Sequence, residues 1–298
     1  MSAFQVKVKA PAKVNLFLKV LGLRPDGRHE LFCLTSKLAL ADDVVVEELG
    51  PPPGADVISV SDELPRPALP TDPLLTGPES LVLRCVRALR EATGHPRRRV
   101  RVGIVRRIPY GAGLGGSSSD AAAAVLGLNS LAPDPLPVGE LESLLMPLGA
   151  DIPFFLGSPG IRLVGGAGES FAPYPGPPLP PRALLAGPRE GLSTGDVFRE
   201  YELTNPAPEN ILDAFPDLSE LALPPLGAND LLPAASRLSP ELALIAEEAA
   251  GAFGGPSGMS GSGPTFWALF GDDADAPKAA SALRARGWWA LATSLSPD

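Results

Sequence analysis

The 298 residues of this chain predict an α+β fold in two lobes. The length lies where a single core usually gives way to two domains sharing a cleft. Segments that read as strands and segments that read as helices follow one another without strict βαβ alternation, which argues against a doubly wound parallel sheet. The stretch Pro173 to Pro181 is so rich in proline that it can be neither a central strand nor a helix interior. It reads as the linker, dividing the chain into lobes at 1–172 and 173–298.

Taken in order, Val6 to Val20 reads as a strand interrupted at Pro11, with Val14, Leu16 and Leu18 alternating against Asn15, Phe17 and Lys19. Val44 to Glu48, Val57 to Val60 and Val100 to Val105 read as further strands, separated by proline-rich loops at Pro51 to Gly54 and Pro65 to Pro78. Ser80 to Thr93 has helical spacing of Leu81, Leu83, Val86 and Leu89, with Ser80 suited to the N-cap and Gly94 beyond the end. A second helix begins near Ser118 and runs through the alanines to Leu126, and a third covers Gly139 to Leu148. Past the linker come an apolar run at Ala183 to Ala186, a helix at Glu241 to Phe253, a strand at Thr265 to Phe270, and a final helix and strand from Ala276 to Leu295. No internal repeat is evident.

Composition narrows the function. Hydrophobic residues make up 45% and charged residues 20%, an ordinary globular balance, while 36 prolines and 32 glycines imply many rigid turns. The net charge of −9 argues against broad binding of nucleic-acid backbone, so an anionic ligand must be met by a local device. The start lacks a signal peptide's charged and apolar regions, and no apolar stretch is long enough for a membrane span; the expectation is a cytoplasmic protein, monomer or homodimer. Cys33 and Cys85, without CxxC spacing, read as reduced packed thiols. With only His29 and His95 available, a histidine-rich metal site is excluded.

The densest chemical signal is Pro109 to Ala121, glycine- and serine-rich, between a strand and a helix. Glycines admit close backbone approach and a helix start offers free N–H groups, so this segment is an anion cradle suited to a triphosphate. Gly111, Gly113 and Gly116 satisfy the dinucleotide spacing, yet the region where that motif needs a second strand reads Pro133-Asp134-Pro135-Leu136-Pro137. A Walker loop is absent as well, since no Gly-Lys-Ser or Gly-Lys-Thr follows the glycines. A phosphate-handling lysine must then come from elsewhere. The chain has only 6 lysines, and Lys13 stands in Pro11-Ala12-Lys13-Val14-Asn15, where it either snorkels from a strand edge or points into a polar cleft. Asp151, just before Ile152 and Pro153, reads locally as an N-cap. A third glycine device, Gly258 to Thr265, precedes a strand.

In their order these segments resemble the three motifs of the GHMP kinase superfamily: Pro11 to Leu18 the first, Pro109 to Ala121 the second, Met259 to Thr265 the third. The resemblance spans nearly the whole chain. It implies a two-lobed fold with a ribosomal-protein-like N-terminal lobe that binds ATP, a ferredoxin-like α/β sandwich as the C-terminal substrate lobe, and an active site in the cleft. Asp26 to Leu31, Leu148 to Phe155 and Ala228 to Leu231 are similar to segments of members acting on cytidylated methylerythritol. The implied roles are Asp151 as base on the accepting hydroxyl, Lys13 as the cation that steadies Asp151 and developing charge, and Asn15 as a positioning amide. Pro109, Gly111, Gly113, Leu114, Gly115, Gly116, Ser117, Ser118, Ser119 and Asp120 would hold the ATP phosphates, with Ser118 or Ser119 at Mg²⁺. Gly261, Ser262 and Gly263 represent the third motif.

His29 would meet the base edge. Where such members carry an aromatic residue before that histidine, this chain has Arg28, whose plane can cover a pyrimidine opposite Phe198 by cation–π contact. Other readings are a kinase of homoserine or mevalonate type, a non-catalytic nucleotide-binding module, and a dinucleotide oxidoreductase. The acidic balance and the set Lys13, Asn15 and Asp151 argue against the non-catalytic module, and the missing second strand argues against the oxidoreductase.

Overall fold

The computed structural model describes residues 5–49, 55–63, 76–94, 99–157, 159–205, 217–253, 255–271 and 276–296, without the side chains of 249–253. The predicted loop at Pro51 to Gly54, most of Pro65 to Pro78, and His95 lie outside the described residues.

The organising element is a long antiparallel ribbon of β1 (Gln5–Leu23) and β2 (His29–Leu49). The strand read over Val6 to Val20 runs through Pro11 without a break. That proline pairs with Ala41 beside a register shift between Pro11 and Lys13, a place where a strand tolerates a missing donor. The predicted strand at Val44 to Glu48 is the far end of β2, whose first half is hidden in sequence because it is buried without clean alternation. Along its other edge β2 pairs successively with β5 (Ile161–Gly166), β10 (Trp289–Ser296) and β4 (Arg99–Arg106), all antiparallel. The sheet continues to β3 (Val57–Asp62) beyond β4, to β6 (Ser170–Pro173) beyond β5, and to β7 (Arg182–Gly187), β9 (Phe266–Phe270) and β8 (Ser257–Met259) beyond β10.

Helices cover this sheet in two groups. Four belong to the N-terminal part: α1 (Leu81–Ala92), α2 (Gly116–Ser130), α3 (Val138–Leu145) and α4 (Ile152–Leu156). Ser80 caps α1 as predicted, its Oγ accepting from Leu83 N at 3.3 Å. The alanines of α2 are all buried against β2, β4 and the α4 phenylalanines, small side chains letting the helix lie close on the sheet. In the C-terminal part α5 (Thr194–Thr204), α6 (Leu232–Leu238) and α7 (Glu241–Phe253) pack over Leu18, Cys33 and Phe266, while α8 (Ala276–Ala285) covers β7 and β10. α5 and α6 were not foreseen; their polar faces mask the periodicity.

A further core joins Ala12, Val14 and Leu16 of β1 to Trp267, Leu185 and Trp289, so residues from both halves share one apolar interior. Among the described residues no helix is long and apolar enough to cross a membrane. Both cysteines are free and buried, and burial pushes their thiols up to about 12, which leaves them unreactive near neutrality.

Candidate active site

A cavity of about 700 Å³ opens where β1, the second glycine segment, α4, the start of α5 and the third glycine segment meet. Lys13 and Asn15 project from β1 on the same side, two residues apart, which is the strand period. Lys13 Nζ donates to Asn15 Oδ1 at 2.7 Å, and Asn15 Nδ2 donates to Thr35 Oγ1 at 2.9 Å. Lys13 Nζ lies 3.9 Å from Asp151 Oδ2. The lysine side chain is 9% exposed and the aspartate 53%, so the ammonium is held beneath while the carboxylate faces the open cavity. Asp151 does sit at the N-cap position of α4, but its side chain makes no capping hydrogen bond. The carboxylate is therefore free for chemistry, which the local sequence left open.

The second glycine segment arches over these groups. Gly111, Gly113 and Gly115 have φ of +66°, +72° and +71°, and Gly115 is the N-cap of α2. A Cβ on Gly113 would stand 2.7 Å from Gly263 O and 2.8 Å from Ser260 O; one on Gly115 would stand 2.8 Å from Phe155 Cζ and 3.0 Å from Lys13 Cγ. Only glycine fits either place. The segment is pinned to β1 by Lys13 N donating to Leu114 O at 2.9 Å, and to the third glycine segment by Ser260 Oγ and Thr265 Oγ1 donating to Gly113 O and Ala112 O. Asn229, from the recognised Ala228 to Leu231 segment, ties that third segment down by donating to Met259 O and Gly261 O, both at 2.9 Å.

Pro109, Gly111, Gly113, Leu114, Gly115, Gly116, Ser117, Ser118 and Asp120 line the cavity, as do Gly261 and Ser262. Gly263 contributes its carbonyl to the packing under Gly113 instead. Ser119 is a correction: its hydroxyl is buried without a partner, because a helix turns about 100° per residue and sends Ser118 and Ser119 to different faces. Asp120 lines the cavity with its carboxyl against Asp42. Burial, then the Asp42 charge, pushes Asp120 well above the usual carboxylate range, and burial raises Asp42 as well against its bonds from Arg107 N and Ile108 N. Asp42, Thr35 and Arg106, which also line the cavity, escaped the sequence reading; the one available signal was an acidic pair, Asp42-Asp43, inside an apolar strand.

The turn before β2 also differs from expectation. Asp26 Oδ1 accepts from Arg28 N at 3.0 Å, and Asp26 Oδ2 accepts from Arg28 Nε and Nη2 at 2.9 and 2.7 Å. One carboxylate thus captures both backbone and guanidinium, and Arg28 does not face Phe198. The ring stacked on Phe198 is His29, at 4.7 Å and 23°, with Tyr201 edge-on and Glu202 Oε1 3.3 Å from Nε2. Burial lowers the His29 pKa, against the opposing pull of Glu202. Phe198 itself lines the cavity.

Residues 80–158 match the family described as GHMP kinases N terminal domain, and residues 209–287 match GHMP kinases C terminal. A 4-diphosphocytidyl-2-C-methyl-D-erythritol kinase of Geobacter sulfurreducens is 35% identical over 291 residues, covering 97% of this chain and 98% of that protein. The crystal structure of a 4-(cytidine 5'-diphospho)-2C-methyl-D-erythritol kinase superposes with a TM-score of 0.74 at 35% identity, covering 98% of this chain and all of that one. A homoserine kinase from Cytophaga hutchinsonii, with a TM-score of 0.65 over 99% of this chain and 96% of its own, is 19% identical and shares the fold.

Proposed function

This chain belongs to the GHMP kinase family, and from that membership we propose that it transfers the γ-phosphate of ATP to the 2-hydroxyl of 4-diphosphocytidyl-2-C-methyl-D-erythritol, a step of the methylerythritol phosphate route to isoprenoid precursors. The observation that carries the reading is the convergence of Lys13, Asn15 and Asp151 under a glycine cradle, with Lys13 Nζ 2.7 Å from Asn15 Oδ1 and 3.9 Å from Asp151 Oδ2. Phosphoryl transfer asks mainly for positioning and charge neutralisation. Asp151 orients the acceptor hydroxyl and takes its proton at a carboxylate oxygen; Lys13 balances charge between that carboxylate and the transferring group. Asn15, fixed by Lys13 and Thr35, holds the acceptor in line.

ATP, the phosphate donor of this family, would lay its phosphates along the glycine segment Gly111 to Gly116, which lines the cavity and ends at the start of α2. Ser118, at the start of α2 and on the lining, would hold Mg²⁺ together with phosphate oxygens, and the metal supplies charge neutralisation there. Phe198, backed by His29, offers an aromatic wall for the cytosine. On this reading residues 1–172 form the ATP lobe and 173–298 the substrate lobe.

A coupled assay of ADP release with three acceptors, the cytidylated alcohol, homoserine and mevalonate, tests the assignment. Turnover with the first alone is expected. Equal or better turnover with either of the others would place the chain in a different branch of the family.

A further inference from the structure

We propose that Lys37 and Arg162 are positioning residues for Asp151, gripping α4 from the end opposite the acid; the inference rests on Asp151 acting on the acceptor as argued above. In the β1/β2 register Lys13 stands opposite Lys37 and Asn15 opposite Thr35, and Thr35 in turn stands opposite Arg162 of β5. With a period of two along each strand, all five side chains rise from one face of the sheet. The α4 segment lies over that face. Its first end brings Asp151 to Lys13; its last end meets the other two cations. Lys37 Nζ donates to Gly157 O at 2.5 Å, and Arg162 Nη2 donates to Phe154 O at 2.9 Å. The Arg162 guanidinium lies 5.3 Å from the Phe154 ring centre and 4.5 Å from that of Phe171, and Lys37 Nζ lies 5.8 Å from Phe154.

A five-residue helix holds itself poorly. It closes about one or two internal hydrogen bonds, and Pro153 has no N–H to add. Its carbonyls need outside donors, and these two cations are what the sheet supplies. They are not inexpensive choices for stability. Lys37 is 8% exposed and Arg162 7%, and two buried like charges on neighbouring strands repel each other and lose hydration. Burial, with Arg162 second, lowers the Lys37 pKa to about 8. Burial lowers that of Arg162 as well, against the attraction of Glu142. What the pair secures is placement: the same short helix carries Asp151 at its head and Phe155, whose ring abuts Gly115 of the cradle, in its middle. A shift of α4 moves acid and cradle wall together.

The test measures kcat, KM for both substrates, and ATP binding by calorimetry for Arg162→Met and Lys37→Met. Each is expected to lower kcat about 10- to 100-fold, the range for a catalytic group displaced by about 1 Å, with the ATP dissociation constant within about twofold of wild type. Arg162→Lys is expected to recover most of the turnover. In an Asp151→Asn background, Arg162→Met should add nothing, because its effect passes through the missing acid. Wild-type kcat per folded molecule in both methionine variants overturns the proposal, as does a full multiplicative loss in the Asp151→Asn background. If Arg162→Met does not fold, Arg162→Gln and Lys37→Gln are read by the same criteria. Asp151→Asn alone reports on the acid itself, so loss of that assignment is distinguishable from loss of this one.

Discussion

Asp151 and Lys13 differ in what they should do when removed, and the difference follows from their exposure. The carboxylate faces the cavity and caps nothing, so Asp151→Asn is expected to fold normally and lose on the order of 10²- to 10⁴-fold in kcat, measured by steady-state turnover with circular dichroism as the fold control. Unfolding in place of inactivity would show that its role is only the N-cap that the local sequence allows. Lys13 is buried between Asn15 and Asp151, which on the proposed reading is the acceptor side of the transfer. Lys13→Met should therefore depress kcat by about 10²-fold while calorimetric ATP affinity stays within a few-fold; weak ATP binding with normal turnover would move Lys13 to the nucleotide.

At the scale of elements, the glycine segment and the turn into β2 make opposite demands on substitution. Gly113 has φ +72° and two carbonyl oxygens within 2.8 Å of any Cβ, so Gly113→Ala combines strain of about 1–2 kcal/mol with a backbone clash. ATP affinity should fall about tenfold or more, read by calorimetry, and unaltered affinity would mean that the cradle lies elsewhere. In the turn, Arg28 is half exposed and already bound by Asp26. Arg28→Ala is expected to change KM for the cytidylated alcohol by about twofold at most, whereas His29→Ala removes the ring that backs Phe198 and should raise it about 2- to 13-fold, corresponding to about 0.5–1.5 kcal/mol of aromatic pairing. A larger effect from Arg28 than from His29 would restore the arrangement that the sequence suggested.

For the whole molecule, Lys37 gives stability a defined pH dependence. Its folded pKa is lowered to about 8 from 10.5, mainly by burial, so between those values the unfolded chain binds a proton that the native protein does not. Stability from this group then rises as pH rises through about 8 toward 10.5 and is least below 8, where the charge is buried. The change in stability between pH 7 and pH 10, read by chemical denaturation, should be more favourable in wild type than in Lys37→Met, the difference isolating Lys37 from the buried thiols, which act in the opposite sense; equal pH dependence in the two proteins would place the ammonium in contact with water.

The sequence by itself determined the family, the mixed α+β class, the helices at Ser80 and in the alanine run, and the motif residues Lys13, Asn15, the glycines and Asp151. The helices and the class depend on local chemistry, a cap or a period, whereas the family and the motif residues Lys13, Asn15 and Asp151 rest on the order in which several short motifs follow one another along the chain. The tertiary structure alone decided that Ser118 and not Ser119 reaches the cavity, that Asp42 and Asp120 share one buried pocket, and that His29 rather than Arg28 meets Phe198. It also brought Lys37 and Arg162 beneath one short helix from positions 125 residues apart, 162 − 37. The physical reason is common to all of these. Register, helix rotation and the capture of one side chain by another depend on partners distant in the chain, and no local pattern of residues encodes which partner arrives.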